Sequence, residues 1–313
     1  MISPGRLTLS FSKLFYNKIK RDLTSKVAVA TEQFEETSKG KNILTSKTGP
    51  ITLFGINRVS KKNSLDRETA EELSEALDVF EQNDESSVGI IHGVGGNFCA
   101  GFDLEEISKY ETDTDSLPHF GSLFSRNVLA KKPLIASVSG YAVGVGFELA
   151  LMCDLRVIEE QARMGFLNRR FGIPIMCGGT VRLPAIVGYS RAMDMIISGR
   201  EITGEEAFQW GIANRLVSCG AALGQSVTLA QSIIRYPQRA LLSDRTSLHF
   251  ASLNAKSIEE ALEFEKDNST DILLEEGIEG AKKFTQGFGR HGKAYNITKL
   301  DRTSFRELSD DLL

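Results

Sequence analysis

The stretch GYAVGVGFELALMCDL, residues 140–155, sets three glycines and then a carboxylate, Glu148, within a run that is almost wholly apolar up to Asp154. An ionised side chain in such surroundings loses hydration worth several kcal/mol unless a partner or a task compensates. Glu148 is therefore either well paired or useful. The glycines end where helical spacing begins, with Leu149, Met152 and Cys153 as apolar positions. Gly144 to Gly146 are thus predicted to form a turn whose backbone N–H groups open a helix. Such amides lack an intrahelical partner and lie at the positive end of the macrodipole, so they can donate to an anion or a developing oxyanion. Glycine lets the backbone approach a ligand with no Cβ in the way.

A second segment, GNFCAGFDLEEI at residues 96–107, repeats the arrangement. Gly101 sits between a strand end and a helix start, and Asp103 is placed to cap that helix. Two such turns from different strands can each aim one N–H at a single carbonyl oxygen, which is the geometry of an oxyanion hole.

Outward from these turns the pattern is regular. ITLFGIN (Ile51 to Asn57), SVGIIHGV (Ser87 to Val94) and PLIASVSG (Pro133 to Gly140) read as strands. Glu68 to Asp84 reads as an amphipathic helix with Ala70, Leu73, Leu77 and Phe80 on one face, and a polar-interrupted helix is expected before Lys132. Strand, helix, strand, glycine turn and helix in alternation is an α/β signature with parallel pairing. The Gly- and Pro-rich block from Ala162 to Gly188 is expected to be loop and short strand, ahead of a helix at Ser190 to Gly199. After Gly211 the chain reads as helical, with the boundary near Val217 to Gly220. The domain reading is residues 1–49 as a basic leader and linker, 50–219 as the core, and 220–313 as a C-terminal helical region.

Composition narrows the function. The chain has 313 residues, 41% hydrophobic and 25% charged, long enough to bury a large core. A net charge of -4 offers no basic footprint for nucleic acid. Cys99, Cys153, Cys177 and Cys219 show no CxxC spacing, and the four histidines form no HExxH, so neither a disulfide framework nor a metal site is expected. The longest apolar run is the glycine-broken stretch around Glu148, a poor membrane span. Residues 1–21 carry Arg6, Lys13, Lys18, Lys20 and Arg21 with no acid, which matches a transit peptide. Mitochondrial import is the expectation, with a cytoplasmic location as the alternative.

The pair GNFCAGFDL and GYAVGVGFELALMCDLRV, separated by PLIASVSG, resembles the enoyl-CoA hydratase/isomerase (crotonase) superfamily. The likeness runs from Ile51 to about Gly292 and includes INRVSKKNSLDRETAEELSEAL and GGTVRLPAIVGYSRAMDMIISGREITGEEAFQWGIANRLV. The resemblance implies a spiral of ββα repeats with a C-terminal helical trimerisation region, homotrimers or hexamers, and acyl-CoA thioesters as substrates. Coenzyme A would be part of the substrate, with no separate cofactor. Carried over residue by residue, the backbone N–H groups of Phe102 and Val145 bind the thioester oxygen, and Glu148 moves a proton at the carbon beside it. Ala100 would line the CoA path, and Gly101, Asp103, Gly144 and Asn168 would complete the substrate-binding set. Valine replaces the commoner glycine at 145, but an N–H survives any substitution except proline.

Two further positions depart from the family pattern. The second family acid falls on Asn168, which exchanges no proton at neutral pH, and Pro174 stands one place earlier than usual. Hydration of a 2-enoyl thioester is the family default. Isomerisation of a double bond needs one proton shuttle, and decarboxylation of a malonyl-type thioester needs little base. Arg169 and Arg170 are candidate partners for a substrate carboxylate, which would favour that last case, or for a CoA phosphate. A catalytically weak CoA-binding protein is the remaining alternative.

Overall fold

The computed structural model describes residues 42–110, Leu123 and residues 130–289. The transit-like stretch and most of the helix expected before Lys132 lie outside the described residues.

The chain opens with β1 (Ile43–Thr48), which turns at Gly49 and pairs antiparallel with β2 (Ile51–Ile56). Residues 43–48 therefore correct the reading of residues 22–49 as linker. ILTSKT is polar because it is an edge strand: only Ile43 is fully buried, and the tight turn supplies the pairing. Helix α1 (Arg67–Gln82) follows, capped by Asp66, whose carboxylate accepts the Thr69 N–H at 2.8 Å. Its buried face carries Ala70, Leu73, Leu77 and Phe80, as the spacing predicts.

Strand β3 (Val88–Gly93), the short helix α2 (Leu104–Ile107), β4 (Leu134–Val138), β5 (Tyr141–Val143) and α3 (Val145–Met152) come next. They are followed by β6 (Leu155–Glu159), β7 (Arg163–Gly165), α4 (Gly179–Val187), α5 (Tyr189–Ser198), β8 (Glu201–Thr203), α6 (Gly204–Gln209) and β9 (Arg215–Val217). One sheet has the order β1-β2-β3-β4-β6-β9, parallel from β2 onward; the other has the order β5-β7-β8. Two turns of the chain, β4-β5-α3 and β6-β7-α4, lay one strand in the long sheet and a shorter one in the second before a helix, the pattern of a spiral of ββα repeats.

Strand β7 is the short strand expected between Ala162 and Gly188, and helix α4 corrects the expectation of loop over Gly179–Val187. Gly178, Gly179 and Pro184 are strong breaker signals, yet the helix starts just after Gly178, which is left-handed at φ +92°, and tolerates Pro184 inside it.

The inner strands β2, β3 and β4 are mainly apolar on both faces, as parallel strands covered on both sides must be. One face joins the main core through Phe54, Ile56, Ile91, Ala136, Val138 and Ile158. The other presents Ile51, Leu53, Val88, Ile90, Ile135 and Val157 to helix α7 (Ala222–Ile233) through Ala230. A boundary at residue 219 therefore cuts α7 from the sheet it covers. The helices beyond it are α8 (Gln238–Leu253), α9 (Ile258–Ile272) and α10 (Ile278–Thr285). Arg245 on α8 ties this region to the core, pairing with Asp154 at 2.7 Å.

Candidate active site

The two glycine turns lie against each other. Cys99 donates its N–H to the Tyr141 carbonyl at 2.8 Å, and its own carbonyl accepts the Val143 N–H at 3.0 Å. Gly101 has φ +103° and Gly144 φ +56°, conformations that L side chains rarely adopt. The approach is close: a Cβ on Gly144 would stand 3.7 Å from the Gly101 Cα, and one on Gly146 only 2.3 Å from the Cys99 carbonyl oxygen. Glycine at 146 is thus set by packing between the turns.

Gly144 donates its N–H to the Gly165 carbonyl at 2.8 Å. Val145, next along, is the first residue of α3, and no described residue accepts its N–H. On the other turn, the Leu65 N–H donates to the Gly101 carbonyl and the Asp103 N–H to the Leu65 carbonyl, both at 2.8 Å. The backbone N–H of Phe102, between them in extended chain, is therefore directed away from Leu65. The Phe102 side chain is buried in the core.

Asp103 braces this turn. Its Oδ1 accepts the Glu105 N–H at 3.1 Å, capping α2, and its Oδ2 accepts from Arg58 at 2.8 Å; Arg58 also pairs with Asp66 at 2.6 Å. Ala100 donates its N–H to the Lys62 carbonyl at 3.0 Å. Burial works to raise the Asp103 pKa, but the Arg58 guanidinium and the Glu105 amide outweigh it and hold the carboxyl below the usual range.

Glu148 is 1% exposed, one helical turn into α3. Its Oε2 accepts two backbone N–H bonds, from Cys177 and Gly179, each at 2.8 Å. These amides sit at the start of α4, where the positive end of the helix favours a carboxylate. Burial nevertheless dominates and raises the Glu148 pKa; the amides of Gly179, Cys177 and Met176 and the charge of Arg182 pull it back only in part. The donors to Oε2 come from a segment that the sequence read as loop. The αL glycine ahead of a Gly-Thr-Val run was the available sign of a helix start.

Asn168 lies in a 3-10 turn, Leu167–Phe171. Its Nδ2 donates to the Ile173 carbonyl at 2.8 Å. Its Oδ1 is buried with no hydrogen-bond partner among the described residues, and stands 3.7 Å from where a Gly144 Cβ would be. Gly101, Gly144 and Asn168 thus meet at one point, with Val145 and Glu148 on the helix that starts there. Among the described residues no cluster of three or more His, Cys, Asp or Glu could hold a metal ion.

A sequence profile described as enoyl-CoA hydratase/isomerase matches residues 46–288. The chain is similar to the probable mitochondrial enoyl-CoA hydratase of Dictyostelium discoideum, 30% identical over 256 residues that cover 79% of this chain and 83% of that one. It is 34% identical over 209 residues to the 2,3-dehydroadipyl-CoA hydratase of Escherichia coli, covering 66% of this chain and 81% of the relative. The crystal structure of an enoyl-CoA hydratase from Mycobacterium tuberculosis superposes with a TM-score of 0.72 at 28% identity, over 78% of this chain and 96% of that one.

Proposed function

This chain belongs to the enoyl-CoA hydratase/isomerase family, and we propose that within it the chain hydrates 2-enoyl-CoA thioesters, with Glu148 as the one proton carrier. One observation carries the reading: Glu148 is buried on the helix that opens at the second glycine turn, with its carboxylate oriented through Oε2 by the Cys177 and Gly179 amides.

In this reading the thioester oxygen accepts the N–H groups of Phe102 and Val145. Water adds its oxygen to C3 as Glu148 Oε1 takes the proton, and the displaced electron pair moves through C2 onto the thioester oxygen. The two amides stabilise that charge where it develops. The enolate then collapses, C2 takes the proton from the Glu148 carboxyl, and a 3-hydroxyacyl thioester results. A carboxyl with its pKa raised by burial suits both halves of the cycle near neutral pH. The experiment is incubation of the full chain with crotonyl-CoA, following loss of enoyl absorbance.

Isomerisation of a 3-enoyl to a 2-enoyl thioester is the second reading, favoured by Asn168 standing where a second acid would. It needs only removal of a proton from C2 and its return to C4 by Glu148. A 3-enoyl substrate assayed beside crotonyl-CoA separates the two.

We also propose that the chain forms homotrimers or paired trimers and is imported into mitochondria. Leu248, Ile258, Leu262 and Leu273 on the C-terminal helices are exposed apolar side chains that support association. Light scattering on the purified chain and the N-terminal sequence of protein recovered from cells test these points.

A further inference from the structure

Two of the departures from the family pattern, Asn168 and Pro174, converge on Ile173. Asn168 makes two bonds to Ile173: its side-chain Nδ2 donates to the Ile173 carbonyl at 2.8 Å, and its backbone carbonyl accepts the Ile173 N–H at 3.3 Å. Gly172, left-handed at φ +71°, makes the turn between them. Pro174 follows directly and restricts Ile173 to extended backbone. Four and six residues from Ile173 along the same segment, Cys177 and Gly179 present their amides to Glu148 Oε2.

We propose that Asn168 is a positioning residue for Glu148: by holding Ile173 at both its N–H and its carbonyl, it fixes the 173–179 loop so that the Cys177 and Gly179 amides face the Glu148 carboxylate. The inference rests on Glu148 being the proton carrier only for its effect on turnover. It also accounts for an amide at 168. A carboxylate cannot donate to the Ile173 carbonyl when ionised, whereas an asparagine donates through one end and keeps Oδ1 toward Gly144.

The groups facing Glu148 that carry or can take charge are Arg182 on α4 and the Cys177 thiol. Arg182 itself donates to the Cys177 carbonyl at 3.0 Å, so it braces the loop from the helix side. Release of the loop removes amides that pull the Glu148 pKa down. The base form of Glu148 then appears only at higher pH.

The test compares the full chain with Asn168→Ala and with Asn168→Asp, which keeps the shape and loses the donor. Amide hydrogen exchange at Cys177 and Gly179 is expected to quicken about tenfold or more in both variants, with the amides of α7 unchanged as the measure of a folded core. The acid limb of crotonyl-CoA hydration is expected to move to higher pH, with kcat falling below it and KM little altered. Unchanged exchange at both amides would overturn the proposal, whatever happens to turnover. A raised KM with the acid limb in place would assign Asn168 to substrate contact, and would also overturn it. If the parent chain does not hydrate crotonyl-CoA, the exchange measurement still decides, so failure of the proposed reaction is distinguishable from failure of this inference.

Discussion

The Gly179 N–H donates to Glu148 Oε2 at 2.8 Å across 31 residues of sequence, joining the first turn of α4 to the helix that begins at the second glycine turn. This bond gives a buried carboxylate a fixed orientation, and among the described residues no cation stands at hydrogen-bond distance from it. The ionised form is thereby kept accessible and costly at once.

That cost has a sign. The folded-state pKa of Glu148 is raised, burial being the largest cause, so the folded chain binds this proton more tightly than the unfolded chain does. The stabilisation is full below the ordinary glutamate value of about 4.3 and is lost as pH rises through the raised folded value. Glu148→Gln still accepts the Cys177 and Gly179 amides and never ionises. Thermal denaturation is expected to show Glu148→Gln at least as stable as the parent at neutral pH, with the parent's decline above the carboxyl range reduced in the variant. Equal decline in both contradicts the assignment.

Asp103 behaves in the opposite sense. Its folded pKa is lowered, so its contribution is present above the ordinary aspartate value and is lost as pH falls through the folded value. Asp103→Asn keeps the cap to Glu105 in reach and removes the charge that Arg58 meets. Urea denaturation at neutral pH is expected to show a loss of about 1–3 kcal/mol, closing toward zero in acid.

Gly146 separates packing from backbone strain, since it has no positive φ yet its Cβ would meet the Cys99 carbonyl at 2.3 Å. Gly146→Ala must push the two turns apart, costing about 1–3 kcal/mol by denaturation, together with turnover. Gly172→Ala, with no atom near its Cβ position, is expected to leave the turns together and cost only the strain of φ +71°.

Much of this was legible in the sequence, and the gaps have physical causes. The alternation of strand and helix, the face of α1, and the two glycine turns follow from periodicity and from where only glycine fits. β1 was not legible, because an edge strand with one buried residue has no apolar pattern to show. Helix α4 was hidden by Gly178, Gly179 and Pro184, which normally break helices. The donors to Glu148 were hidden with it, as backbone amides leave no side-chain signature. Asn168 was visible as a departure, but its bonds to Ile173 depend on a turn that residue types alone do not specify.

The central claim is that Glu148 moves the proton while the amides of Phe102 and Val145 hold the thioester oxygen. Crotonyl-CoA hydration by the parent chain and by Glu148→Gln, with folding of both checked by circular dichroism, tests it most directly. The account predicts turnover in the parent and a fall of about a hundred- to ten-thousand-fold in the variant; equal rates in two folded proteins would contradict it.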